Sequence, residues 1–394
     1  MRSLGRGRIP APNLAGENPQ LILKLVGVSP DYGAAHLDDG SWLGIEPVEQ
    51  LERQQAVRLP VPPPLDYDWR FTEATRVLLL RLIERLATHA TDEIVLIGTP
   101  TLFQAARSTG MGVRCTLIDR CLATVSALAA GSREKLHTVD VLTGVLPRLS
   151  ARVVMADPPW YEEFARAFLW ASSQLVRNGG TVLLSAPPLG TRPGIEQEFR
   201  RLVAFANELG LELHSMDECL RYDSPPFEKN AMRAAGRSGV PIDWREGILA
   251  RFEKMRDSVA ARPNVESSRN NWTEHTVFGV RLLIRRWLPR ALGNPRLVKI
   301  VDGDILDTVS RRDPRRELAD VWTSGNRVYA CSDTHTLAWI LEAIRTGHGP
   351  ESYVEEAFGR QLTPTERTAV IEATKQVSTV LSRELEEYAL AWEL

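Results

Sequence analysis

The chain has 394 residues, 43% hydrophobic and 25% charged, enough for two or three domains with a sizeable buried core. A net charge of −2 gives no global field toward nucleic acid or an anionic membrane, so any basic surface must be local. Four scattered cysteines make no Cys-x-x-Cys pair, no histidine stands beside them at ligand spacing, and no apolar run reaches the length of a membrane span; the expectation is a cytoplasmic protein with no structural metal and no membrane partner.

Residues 1–64 read as an N-terminal extension with one apolar run at 21–28 and a Trp42-Leu43-Gly44-Ile45 patch. It closes in Pro60-Val61-Pro62-Pro63-Pro64, by composition a stiff linker. Thr72 then stands where a cap would open a helix carrying the apolar run 77–86. Strand and helix alternate from there: strand 93–97, helix 102–108, strand 113–118, helix 122–130, a weak strand at 136–139, strand 152–156, helix 162–176, and strand 181–185 after Gly179-Gly180. A helix over 194–209 leads to a short strand at 211–214, a turn-rich stretch at 221–228 and a closing strand within 242–252. Such β-α-β alternation predicts an α/β domain over 65–258, with about seven strands in a mostly parallel sheet covered by helices on both faces. Ligands in that architecture sit beyond the carboxyl ends of the strands. The polar run 267–271 marks a domain boundary, and 272–394 reads as a separate, mainly helical or mixed domain with helices at 336–345, 353–359 and 365–387 and a hairpin over 320–329.

The most informative feature is Asp157-Pro158-Pro159-Trp160, directly after the apolar run 151–156. An exocyclic amine such as that of adenine is a poor nucleophile because its lone pair is delocalised into the ring. A carboxylate at Asp157 and a backbone carbonyl of the Pro158-Pro159 linkage can each accept one N–H and so localise that lone pair. Two prolines lock the turn, and Trp160 offers a flat face for a base or a cationic amine. Tyr161, Tyr222 and Phe227 are the candidate substrate contacts, the last two within the 221–228 turn.

At the end of the first strand of the domain, Gly98-Thr99-Pro100 enters a helix; a small residue and unpaired helix N–H groups there suit the carboxylate of S-adenosylmethionine. Asp119 lies about twenty residues further on, the spacing at which an acid reaches ribose hydroxyls in dinucleotide-type folds. Asp140 follows the weak third strand and has either a helix-capping role or a bond to the adenine amine. Phe71 is a candidate cover over the cofactor, or a packed core aromatic.

In this order, Gly98, Asp119, Asp140 and Asp157-Pro158-Pro159-Trp160 resemble the class I methyltransferases that use S-adenosylmethionine and carry an Asn/Asp-Pro-Pro-aromatic motif. The resemblance covers about residues 66–255 and implies a seven-stranded Rossmann-like sheet, the cofactor over the first strand ends and the target amine at the Pro-Pro turn. The Asp-Pro-Pro-Trp form looks like that of the methyladenosine-forming mRNA enzymes, whereas the cofactor-loop-first order differs from theirs. Gly98-Thr99-Pro100-Thr101 is closer to the Asp-Pro-Pro-Phe/Tyr enzymes, some of which methylate protein lysines. Three readings follow: an N6-adenine methyltransferase on RNA or DNA, a protein lysine or small-amine methyltransferase, and an inactive scaffold of the same fold. For nucleic acid, the local argument is the arginine-rich stretch 281–316 beside Trp272 and Trp287, either a phosphate-tracking strip or the solvated face of an arginine-rich chain.

Overall fold

The computed structural model describes residues 59–129, 135–237, 239, 243–258, 260–265, 271–286 and 293–392, with the backbone of two short strands, β1 (Ala35–His36) and β2 (Trp42–Leu43). The apolar run 21–28, most of the polar run 267–271, Trp287 and Arg290 lie outside the described residues. The chain divides into two compact units, one of Met1–Leu59, Trp69–Ser224 and Gly239–Glu266, the other of Pro60–Asp68, Pro225–Ser238 and Ser267–Leu394.

In the first unit the apolar runs become β4 (Ile94–Ile97), β5 (Cys115–Asp119), β6 (Leu136–Thr138), β7 (Ala151–Ala156), β8 (Val176–Ala186), β9 (Leu211–Asp223) and β10 (Arg245–Lys254). All four residues of β4 are buried, as a central parallel strand covered on both faces requires. The sheet has eight strands, because the two-residue β3 (Arg70–Phe71) adds to its edge; the order is β3-β9-β10-β8-β7-β4-β5-β6. Strands β6, β5, β4, β7 and β8 are parallel, and β10 inserts antiparallel between β8 and β9. The α/β, Rossmann-like, mostly parallel architecture is thus present, with one more strand than expected. Strand β9 also runs on through Tyr222 and Asp223, so 221–223 is paired sheet rather than turn.

The helices follow from local signals. Thr72 accepts the Thr75 N–H at 3.3 Å and opens α1 (Glu73–Leu86), whose Leu79 and Ile83 are fully buried against β4 and β5 residues. Helices α2 (Pro100–Ser108), α3 (Leu122–Leu128), α4 (Glu162–Leu175) and α5 (Ile195–Glu208) supply the crossovers between parallel strands. Two apolar clusters result, one around Val154, Val182 and Leu169, the other around Leu96, Leu117 and Leu79. Register then fixes the chemistry: Ile97 pairs with both Ile118 and Ala156, which sets Gly98, Asp119 and Asp157 in line along one carboxyl edge.

The second unit is mixed, one of the two expected forms, with a sheet beside its helices. Strands β11 (Trp272–Val277), β12 (Val280–Arg285), β13 (Val298–Lys299), β14 (Val321–Thr323) and β15 (Val328–Ala330) form an antiparallel sheet in the order β11-β12-β14-β15-β13. The expected hairpin is β14–β15, with Trp322 opposite Val328. Helices α6 (Pro226–Ala234), α7 (Thr334–Thr346), α8 (Pro350–Phe358) and α9 (Pro364–Trp392) complete it. Thr363 and Glu366 form a reciprocal capping box at the start of α9, each side chain accepting the other's backbone N–H. The stretch expected to be a linker is instead buried at 61–64, where Val61 packs with Val277, Val280 and Leu381; Leu65, next in the chain, packs with Trp272 and Trp322.

A buried ion network holds α9 to this sheet. Arg327, 0% exposed, meets Glu384 at 2.7 Å, Glu387 at 2.5 Å and Asp304 at 3.3 Å. Burial alone disfavours its charge, and the carboxylates of Glu387 and Glu384 reverse that, so the guanidinium is held above its usual range. Glu384 also accepts the Thr323 hydroxyl at 2.5 Å and the Tyr388 hydroxyl at 2.7 Å, and burial pushes its carboxyl up.

Among the described residues, four arginines of the arginine-rich stretch are held by contacts within the second unit. Arg281 is 1% exposed and bound to Asp66 and Glu274; Arg315 pairs with Asp313 and Asp307; Arg316 is buried over the Trp322 ring. Arg285 spends its guanidinium on the Ala319 and Glu317 carbonyls and lies over Trp272, itself buried. These four arginines are engaged in intramolecular contacts, whereas Arg286, Arg296, Lys299 and Arg312 of the same stretch are exposed.

Candidate active site

The tetrapeptide occupies the turn after β7, at the centre of the carboxyl edge. The Asp157 N–H continues the ladder onto the Ile97 carbonyl at 3.1 Å, so the strand places the side chain before the prolines turn the chain away. Its Oδ1 accepts two hydroxyls, one from Ser185 near the end of β8 and one from Tyr222 on β9 at 3.0 Å. Burial pushes the Tyr222 phenol well above its usual range and the Asp157 charge adds to this, so the phenol stays neutral and donates. Tyr222, expected as a substrate contact, is 1% exposed and therefore supports Asp157 from behind.

The turn itself is tied down on both sides. The Tyr161 N–H bonds the Pro159 carbonyl at 2.7 Å, closing a three-residue turn. Arg192, from the loop after β8, donates to the Trp160 carbonyl at 3.0 Å while paired with Glu198. The Tyr161 ring lies 6.2 Å from Phe164, with the Arg192 guanidinium 6.0 Å from its centre.

Trp160 stands edge-on to Tyr222, with ring centres 5.4 Å apart. It can approach β10 because position 247 is glycine: a Cβ there would come within 3.0 Å of the Trp160 ring and 3.2 Å of the Tyr222 ring. The Arg245 guanidinium lies 4.3 Å from the centre of the Trp69 ring, 5.2 Å from Trp244 and 5.6 Å from Trp160. Phe71, expected as a possible cover for a cofactor, is 1% exposed and packs 4.9 Å from Tyr222, so it is a core aromatic that backs the site. Phe227, expected as a substrate contact, belongs to the second unit, where its side chain is fully buried on α6.

The neighbouring strand ends carry the expected polar groups. Gly98 has φ +67°, and a Cβ there would sit 3.3 Å from the Asp157 carbonyl oxygen, so the β4 turn is pressed against the tetrapeptide and only glycine fits without strain. Thr99 precedes α2 as its cap residue but caps nothing with its side chain; its buried Oγ1 has no hydrogen-bond partner. Pro100 follows as the first helical residue. Asp119 ends β5, where Oδ1 accepts the Cys121 N–H at 2.7 Å, and Asp140 follows β6, where Oδ1 accepts the Leu142 N–H at 2.9 Å.

Ser185, Gly247, Arg245, Trp244 and Arg192 complete the surroundings and were not legible as site residues, whereas Trp69 stands two residues before Phe71 and reads from sequence, with it and Arg70, as a cofactor cover. For Ser185 the available signal was its place near the end of the strand after β7, two residues before Pro187-Pro188. Gly247, Arg245 and Trp244 depend on β10 pairing beside β8, which no local pattern announces, and Arg192 on the fold of the loop after β8. Among the described residues no group of three or more His, Cys, Asp or Glu side chains is placed to hold a metal ion, and no helix is long and apolar enough to cross a membrane.

No protein-family model matches the chain, and no curated protein matches it. Solved structures do resemble it in fold. One is the branched-chain polyamine synthase from Thermus thermophilus in complex with N4-aminopropylspermidine and 5′-methylthioadenosine, at 17% identity and a TM-score of 0.46 over 55% of this chain; the match spans 66% of the synthase, a little under two thirds of its length. Another is the N-methyltransferase NodS from Bradyrhizobium japonicum in complex with S-adenosyl-L-homocysteine, at 17% identity and a TM-score of 0.33, over 52% of this chain and 97% of that one.

Proposed function

We propose that the first unit is an S-adenosylmethionine-dependent methyltransferase acting on an amine nitrogen, with N6 of adenine in RNA or DNA as the acceptor. The observation that carries the proposal is Asp157, fixed by the Ser185 and Tyr222 hydroxyls at the carboxyl edge beside the Gly98 turn. The residues fit the cofactor: Gly98 keeps the backbone clear, the unpartnered Thr99 hydroxyl and the start of α2 suit a polar, carboxylate-bearing tail, and Asp119 stands at the strand end where ribose hydroxyls would be met. When bound, the cofactor supplies an electrophilic methyl group on a sulfonium.

The chain supplies the rest. Asp157 and the Pro158 carbonyl each accept one N–H of the acceptor amine, which draws the nitrogen out of conjugation and aims its lone pair. Trp160 positions the ring bearing that amine, held by Tyr222 and by the absence of a side chain at Gly247. The buried, neutral Tyr222 phenol and Ser185 keep the carboxylate in one orientation, so little reorganisation accompanies the reaction.

Purified protein incubated with methyl-labelled S-adenosylmethionine and, in parallel, single-stranded RNA, single- and double-stranded DNA and a cell lysate tests this reading. Label in nuclease-sensitive material, recovered as N6-methyladenosine or its deoxy form, is the expected result. Label confined to protease-sensitive material favours the lysine acceptor, and absence of both transfer and calorimetric cofactor binding favours an inactive scaffold.

A further inference from the structure

Beside the proposed acceptor site, one guanidinium lies over three indole rings. Arg245 opens β10, where it pairs with Tyr222, the residue that holds Asp157. Its distances to the ring centres of Trp69, Trp244 and Trp160 are 4.3, 5.2 and 5.6 Å, all within the range of cation–π attraction. Several aromatic faces converging on one point are what a protein uses to hold an ammonium group. Here that position is taken by the chain's own cation.

We propose that Arg245 is a specificity-determining residue that fills the tryptophan cluster and turns away ammonium-bearing acceptors in favour of a neutral amine on a flat ring. A protonated lysine or polyamine approaching Trp160 would have to displace the guanidinium from the rings, and until it did so it would face a like charge at close range. A protonated amine also has no lone pair to offer a methyl group. A nucleobase amine carries no charge, needs only the Asp157 and Pro158 acceptors, and can lie against Trp160 while the guanidinium stays on Trp69. Arginine suits this role better than lysine because its delocalised, weakly hydrated plane stacks on indole faces.

This inference rests on the amine-acceptor reading given under Proposed function, and binding separates the two because it needs no turnover. Quenching of tryptophan fluorescence is titrated with adenosine and with spermidine in the wild-type protein, in Arg245→Gln and in Arg245→Lys. The wild type is expected to bind adenosine more tightly than spermidine. Arg245→Gln, which vacates the rings, should raise spermidine affinity by about tenfold relative to adenosine, and Arg245→Lys, which retains a cation, should raise it much less. Tighter binding of spermidine than adenosine by the wild type, or no relative gain in Arg245→Gln while its circular dichroism matches the wild type, overturns the inference. Label transfer from S-adenosylmethionine to any amine decides the parent reading independently, so its failure and the failure of the Arg245 assignment are told apart.

Discussion

Asp157→Ala is expected to lower methyl transfer by about a thousandfold while leaving S-adenosylmethionine affinity within about twofold. The reason is geometric. Asp157 stands at the β7 turn and holds the acceptor nitrogen, whereas the cofactor contacts assigned here lie on the β4 and β5 turns at Gly98, Thr99 and Asp119. The variant also leaves the Ser185 and Tyr222 hydroxyls facing an empty position; water can fill it without the directional acceptor that the amine requires. Asp157→Asn keeps one carbonyl acceptor of the same shape, and its loss should be smaller, about tenfold. Single-turnover rates with saturating cofactor, alongside calorimetric cofactor titrations, check both values. Equal losses in rate and cofactor affinity would place Asp157 among the cofactor contacts instead.

Arg327→Met should destabilise the second unit by about 3–5 kcal/mol. The substitution removes the cation that faces Asp304, Glu384 and Glu387, of which Asp304 and Glu384 are 1% and 0% exposed. Carboxylates left in that position lose their compensating charge while the cost of their desolvation stays. Glu384, already pushed up by burial, then takes up a proton, which limits the loss without abolishing it. Denaturant unfolding followed in parallel by near-ultraviolet circular dichroism and by cofactor binding checks this. The expected result is an early transition that spares cofactor binding in the first unit.

Much of the first unit was legible because its signals are local. A buried parallel strand reads as a short apolar run, and Thr72, Gly98 and the Asp-Pro-Pro-Trp turn mark where helices and strands begin or stop. The order of Gly98, Asp119, Asp140 and Asp157 along the chain became an alignment along one edge because parallel strands with crossover helices leave their carboxyl ends together. Tyr222 and Phe227 show where the reading failed. Five residues apart in one polar stretch, they read as neighbours on a single loop, yet Tyr222 is the next-to-last residue of a thirteen-residue strand of the first unit and Phe227 lies on a helix of the second. The two prolines between them, Pro225 and Pro226, mark the crossing rather than a turn within one site. The linker at 60–64 failed for a related reason: proline content gives stiffness, while burial is decided by the apolar partners of Val61 and Leu65 far along the chain.

The account's central claim is that the Gly98 turn, the Asp119 strand end and the Asp157 turn form one site for a methyl donor and its acceptor. A crystal structure with S-adenosyl-L-homocysteine tests it most directly. The predicted result is product lying over the carboxyl ends of β4 and β5, ribose hydroxyls on Asp119, and the sulfur directed at the Asp157-Pro158-Pro159-Trp160 turn. Product bound elsewhere, or seated with its sulfur turned away from Asp157, would contradict it.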